Sequence, residues 1–379
     1  MTPIPDIGSV EITVTPEGGA PGRVRVKSTR RTRVTAMLVG QPADERLPRM
    51  ISLLYTLCPQ AQASAWKAAV ALAQRRELSP EVIAPWAAAV QLEAMTEHMR
   101  CFVLELPKAL GMEDTVSARP VGALRAKISR AAALDEAGRR ALLAEAAAAA
   151  RELLFGHSGP LPSLSERKST AEIEAWVSTL KNVLRPVLSY LVMLPRELGV
   201  TAARRLDTAS PTVRKELTTE LARPGFCFEP HLFTGPAQTS ALSRRVASPA
   251  LMPELLRRRP GCFDYFYARL LELGTWCRGF EAPEALISGF SPESGVGISF
   301  VETARGVLTH RVRLERGIVR EASIVAPTEW NFYPGGAAEQ ALNSLGVTDW
   351  ASWRSRAEIV VRQFDACIPY KMTTEASRA

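Results

Sequence analysis

Cysteine is scarce: there are six in 379 residues, and no two stand in a CxxC pair. That excludes a dense disulfide framework and a zinc ribbon, and the spacing fits a reducing compartment. Long apolar runs are missing too. The best candidate, Val187 to Leu194, is far short of the roughly 20 residues a membrane span needs, so no membrane is expected. Met1 to Pro16 has neither a basic nor an apolar stretch, so no secretory signal is expected and the chain reads as cytoplasmic. No internal repeat and no low-complexity tail is visible.

What is present is ordinary globular composition, 46% hydrophobic and 23% charged, which excludes wholesale disorder. The length allows one large core or two smaller ones. Lysine and arginine (47) exceed aspartate and glutamate (39), giving +8. The surplus is dispersed. Its densest groups, Arg23 to Arg33 and Arg257-Arg258-Arg259, lack interleaved aromatics, so a solvated positive face is expected rather than a nucleic-acid partner.

Alternation at Val10 to Val14 and Gly22 to Val26 around Pro16-Glu17-Gly18-Gly19 predicts a β-hairpin, with a third short strand at Val34 to Val39. From Leu47 the period turns helical: Met50, Leu53, Leu54 and Leu57 share a face, and Ala63 to Gln74 continues beyond a break at Pro59. Ser79-Pro80 starts a helix running towards Leu106. Ala123 to Leu154 is helix-prone. Thr170 to Leu198 follows, entered through a capping box of Ser169 and Glu172 and interrupted at Pro186 and Pro195. Asp207 to Pro253 lacks clear periodicity, and its aromatics predict an ordered, packed loop. Phe263 to Arg278 is helical. Gly297 to Val301, Val307 to Leu314 and Ile318 to Val325 form a meander turning at Arg316-Gly317. Helices at Ala337 to Gly346 and Trp350 to Phe364 complete the pattern. The expected fold is α+β and mainly α, a long-helix bundle with small β-hairpin elements near both ends. One domain is expected over 1–379: a β region (1–46), a helical body (47–200), an ordered loop (201–260), and a helix, hairpin and C-terminal cysteine motif (261–379).

Four segments carry a resemblance. ISLLYTLCPQAQASA (Ile51 to Ala65) resembles the first cysteine motif of nickel–iron hydrogenase large subunits. VVRQFDACIPYKMT (Val360 to Thr373) resembles the second. LEAMTEHMRCFVLELP (Leu92 to Pro107) and GVGISFVETARGVLTHRVRLERGIVREASIVAPTEWN (Gly295 to Asn331) resemble stretches between them, in the family's order. The resemblance implies the large-subunit fold over nearly the whole chain.

The departures decide the chemistry. Cys58 and Cys367 take the first cysteine position of each motif. The second positions hold Ala61 and Tyr370, and the histidine positions hold Ala65 and Thr373. In the family the second cysteines bridge nickel and iron. A bimetallic centre needs such soft bridges, which alanine and tyrosine cannot supply. The Arg-Glu-Gly-His sequence expected near the N-terminus and a removable C-terminal extension are also missing. An active hydrogenase is therefore rejected and no catalysis is expected.

A degenerate homologue of this kind resembles the HupK-type hydrogenase expression/formation proteins. That resemblance implies a scaffold for iron carrying cyanide and carbon monoxide, held transiently, with no nickel. The implied partners are a HypC-type chaperone, other maturation proteins and the hydrogenase large subunit. Cys58 and Cys367 are the implied metal ligands. Arg305 would lie beside the diatomic ligands and lower a nearby thiol pKa. Glu302 would pair with Arg305 or another arginine. Gln60 could hydrogen-bond a ligand, Asp365 could orient the chain, and Tyr370 could donate into the vacant bridging space. His98 and His310 read as structural, and Cys101, Cys227, Cys262 and Cys277 as core thiols. Two rivals stand beside this reading: a metal-free mimic that occupies chaperones, and an enzyme with a cysteine nucleophile.

Overall fold

The hairpin forms as the alternation predicts. Strands Val10–Glu17 and Ala20–Ser28 pair antiparallel, with Val10 opposite Ser28 and Val14 opposite Val24. One face buries Val10, Ile12, Val14, Val24 and Val26, while Arg23, Arg25 and Lys27 face solvent. A strand not expected from the sequence, Tyr370–Thr374, lies parallel to the first, Tyr370 opposite Val10. The C-terminal cysteine motif is thereby tied to the N-terminal hairpin. The computed structural model describes residues 8–30, 34–112, 118–155, 170–182, 184–246, 255 and 257–375.

Val34–Leu38 is a helical turn, not the expected third strand. A short apolar run fits either period, and here only Leu38 is buried while Met37 and Val39 stay exposed. The turn stops at Gly40, whose φ of 83° suits glycine.

The body is helical. Arg46–Leu54 ends at Tyr55, and Pro59 opens a new helix, Pro59–Ala73, as a first-position proline rather than interrupting one. Pro80–Arg100 runs through a π-turn, Cys101–Glu105, into Leu106–Ala109. Ser79 stands at the expected N-cap position, but its side chain makes no bond to the helix backbone. Arg119–Ile128 and Glu136–Ala150 fill the Ala-rich region. Thr170–Thr179 and Arg185–Met193 follow, with Pro186 inside the first turn of the second. Ser169, the serine of the expected capping box, lies outside the described residues. Among those residues no helix is long and apolar enough to cross a membrane.

The 201–260 region is packed, as its aromatics suggest, but it contains a helix, Pro211–Glu220, and a shorter one, Ala241–Arg245. Leu217, Leu221 and Phe226 join Phe300, Val325 and Trp330 in a second, smaller core. The meander has four strands in sequential order, Ile287–Phe290, Val296–Thr303, Gly306–Glu315 and Ile318–Val325. Its turn is made by Arg316 and Gly317, both at positive φ.

The meander seats the helix that begins after Cys58. Alanines 61, 65, 68, 69 and 73 of Pro59–Ala73 are buried, and small residues let backbones approach. A Cβ on Gly297 would stand 2.0 Å from the Ala69 carbonyl oxygen, so only glycine fits there. Ser299 Oγ donates to the Ala65 carbonyl at 2.7 Å. The Cys262–Trp276 helix packs against the Pro80–Arg100 and Trp350–Phe364 helices, and the last of these delivers the chain to Cys367.

Candidate thiol site

Cys58 occupies the N-cap position of Pro59–Ala73 without capping it. The free N–H groups of that helix's first turn go instead to Glu93 on Pro80–Arg100. Gln60 N donates to Oε2 at 2.7 Å and Ala61 N to Oε1 at 3.1 Å. Burial pushes the Glu93 carboxyl up to about 8, against the pull of those two donors. The Cys58 thiol is half-buried, with Gln62 Nε2 at 3.9 Å. Burial raises its pKa well above the ordinary thiol value, and the nearby Glu93 and Cys367 raise it further. Arg305 and Arg30 pull the other way, as expected for guanidinium neighbours, but are outweighed.

Cys367 is held differently. Asp365 ends the Trp350–Phe364 helix at φ 51° and turns the chain. Cys367 N then donates to Thr328 Oγ1 at 2.9 Å, and the same hydroxyl donates back to Cys367 Sγ at 3.0 Å. Arg30 Nη1 donates to the sulfur at 3.1 Å and to Glu329 Oε1 at 3.2 Å. Burial opposes the Arg30 charge, but Cys367 and Glu329 more than offset it.

Arg305 is buried beside both segments. Its Nη2 donates to Glu97 Oε2 at 2.8 Å, and its Nε is 3.3 Å from Asp365 Oδ2 without hydrogen-bond geometry. The backbone there turns at Gly306, φ 119°, where a Cβ would stand 2.4 Å from Thr239 Oγ1. Asp365 also faces Arg100 at 3.9 Å and Arg269 at 4.0 Å. Burial works against its charge, but these three arginines hold its carboxyl below the usual range. Among the described residues no three His, Cys, Asp or Glu side chains group as a metal-ion site on their own.

No family model matches this chain. The hydrogenase expression/formation protein HupK of Rhizobium leguminosarum bv. viciae is 29% identical over 98% of both chains. The hydrogenase expression/formation protein HoxV of Cupriavidus necator is 27% identical over 92% of this chain and 93% of its own. The chain is similar to HupK and HoxV along nearly its whole length. Its fold is that of the nickel–iron hydrogenase large subunit. The oxidised [NiFeSe] hydrogenase of Desulfovibrio vulgaris Hildenborough superposes with a TM-score of 0.56 at 14% identity, over 94% of each chain. An NAD+-reducing [NiFe]-hydrogenase gives 0.55 at 16%, over 92% of this chain and 93% of its own.

Two expected neighbours of the site point elsewhere, and a third pairs with a different arginine. Glu302 accepts from Arg244 at 2.6 Å, the second of its two expected pairings. Arg244, on the Ala241–Arg245 helix, also binds Glu272, which holds His98 Nε2 at 2.8 Å. Gln60 turns its side chain outward, Nε2 donating to the Ser129 carbonyl at 3.0 Å, and only its backbone serves the site. Tyr370 is fixed by its pairing with Val10. Its hydroxyl donates to Glu358 at 2.5 Å, and its ring lies 5.7 Å from the Arg362 guanidinium, so it does not donate into the bridging space. His310 is held by Gln62 at 2.8 Å and pushed down by burial to about 3, and His98 stacks on Trp276. Both are structural in this arrangement.

Sequence reasoning missed Arg30, Glu93, Glu97 and Thr328. Thr328 lies within the quoted Pro327-Thr328-Glu329-Trp330-Asn331 segment. Glu93 and Glu97 are four apart and share a helix face, a legible signal with no visible target. Arg30 was counted only as part of a basic group.

Proposed function

We infer that this protein assists hydrogenase maturation as a non-catalytic scaffold that holds an iron-cyanide-carbonyl unit transiently at Cys58 and Cys367. What supports this is that two thiols from distant parts of the chain feel each other's charge beside a buried Arg305, while Ala61 and Tyr370 fill the motif positions that hold the second cysteines in the resembled family. Two thiolates are too few for a bare ion such as zinc, which takes four ligands. They suit an iron that arrives with strong diatomic ligands of its own. The chain's own residues would orient that cargo. The Arg305 Nε, buried without a hydrogen bond, can donate to a cyanide nitrogen. Arg30 and Thr328 hold the Cys367 sulfur in place. The relatives' names support the maturation role. A HypC-type chaperone, other maturation proteins and the hydrogenase large subunit are the partners this reading implies, and nickel binding and hydrogen oxidation are not part of it.

The test is iron content and infrared bands of bound cyanide and carbon monoxide on protein isolated with its partners. Cys58→Ser and Cys367→Ser are each expected to abolish iron retention and impair maturation of a separate hydrogenase, while circular dichroism shows an intact fold. A second reading, a metal-free mimic that binds chaperones, draws on the Cys58 thiol, which burial keeps neutral. Full hydrogenase activity with both serine variants would favour it.

A further inference from the structure

The two thiols differ in access. An open cleft of about 1040 Å³ runs between the Cys101–Ala109 turns and the Trp350–Phe364 helix, and Cys367 is part of its lining. Cys58 does not line it. Thr56 and Leu57, the two residues before Cys58, form a wall shared with a smaller cavity of about 380 Å³ on the far side.

The cleft's charges are unequal. Its carboxylates are Glu105, Glu358 and Asp365. Each has a cationic partner: Glu105 is 2.5 Å from Arg100, Glu358 pairs with Arg362, and Asp365 is 3.3 Å from Arg305. Lys108 and Arg354 also line the cleft, both exposed, and among the described residues neither has an acidic partner within ion-pair distance. The cations left without a counter-charge therefore belong to the approach. A low-dielectric cleft with an excess of one sign concentrates the opposite sign and speeds its arrival.

We propose that this cleft is the route by which cargo reaches the thiol pair, as a small anionic complex steered by Lys108 and Arg354 that meets Cys367 first and Cys58 second. The proposal rests on the scaffold reading of the two thiols. Cyanide together with a thiolate or hydroxide carried from the donor makes a ferrous unit a net anion. Capture is a redox-neutral ligand exchange. The Cys367 sulfur forms a bond to iron, the bond to the carried ligand breaks, and the thiol proton leaves with that ligand.

The route can be tested without iron. The probes are two methanethiosulfonate reagents of similar size, one ending in a sulfonate and one in a quaternary ammonium. Each labels a thiol as a mixed disulfide and releases methanesulfinate. Labelling of the full chain is followed by peptide mass spectrometry, with rates taken relative to a small thiol in solution. Cys367 is expected to label before Cys58, and the anionic reagent to be favoured. The Lys108→Glu/Arg354→Glu double variant should slow the anionic reagent about tenfold and speed the cationic one. Arg76→Glu, an exposed change at the far end of the Pro59–Ala73 helix, should do neither. Thermal melts establish that the variants fold. Labelling of Cys58 first, equal relative rates for the two reagents, or no response to the double variant would overturn the proposal. Iron that is retained equally well by both serine variants would instead sink the scaffold reading and leave the cleft result standing.

Discussion

Cys58 and Cys367 come within electrostatic reach of each other from distant parts of the chain, and the protein treats them unequally. Cys367 has two donors on its sulfur, Thr328 and Arg30, and faces an open cleft. Among the described residues Cys58 has only the distant Gln62 amide, and it sits near a buried carboxyl. Two donors hold the Cys367 sulfur in one place, whereas burial keeps the Cys58 sulfur as a thiol. The pair is thus a fixed end and a gated end rather than two equivalent ligands. That suits a protein that receives and releases, better than one that keeps a metal permanently.

The comparison breaks most severely at Arg30. Arg30→Met would strip one donor from Cys367 and leave Glu329 buried with its cation gone. Removing one partner of a buried ion pair typically costs about 3–5 kcal/mol, and that is the expected loss in denaturant unfolding. A change below about 1 kcal/mol would mean the pair is dispensable and the fixed end is not fixed by it.

The gated end is probed through pH. The Glu93 carboxyl stands at about 8 in the fold against an ordinary 4.5. A raised folded pKa means the stability it contributes is fully present below the unfolded value and is lost as pH rises through the folded one. Glu93→Gln cannot ionise, so its stability should match the parent at low pH and exceed it increasingly from about 4.5 to about 8. By pH 9 the gain should approach roughly 5 kcal/mol, read from thermal or urea unfolding across pH. Parallel profiles for the two proteins would show that Glu93 is ionised in the fold at neutral pH, and the contrast with Cys367 would shrink.

How much of this was legible follows from distance along the chain. The hairpin, the meander and most helices are local patterns, and alternation or helical period marked them. Val34–Leu38 was misread because five residues cannot separate the two periods. The Pro211–Glu220 helix was hidden because Val213 and Leu217 are its only large apolar residues, although Ser210-Pro211 repeats the start signal seen at Ser79-Pro80. Cys58 and Cys367 stood out only through resemblance to the large-subunit motifs. Their neighbours did not, since Arg30 meets Cys367 across 337 positions and Glu93 meets Gln60 across 33. The side-chain directions of Tyr370 and Glu302 depended on pairings that no local pattern announces: Tyr370 on the parallel register with Val10, and Glu302 on the arrival of Arg244.

The smallest expected effect sharpens the comparison most. Thr328 serves Cys367 with one hydroxyl used twice, accepting from the backbone N–H and donating to the sulfur. Thr328→Val keeps the shape and removes both bonds. The orphaned N–H should cost about 1–2 kcal/mol of stability, since an unmet buried donor is worth roughly that much. Thr328→Ser restores the hydroxyl and should recover most of it. With Val in place, Arg30 remains the only donor on the sulfur among the described residues, so Cys367 should be held less firmly towards the cleft and label more slowly with a thiol reagent at a fixed pH. Among the described residues both bonds of this hydroxyl go to Cys367, so the labelling rate of Cys58 should stay where it was. Equal slowing of both cysteines would mean that the whole site had loosened, and the two ends would then be one unit after all.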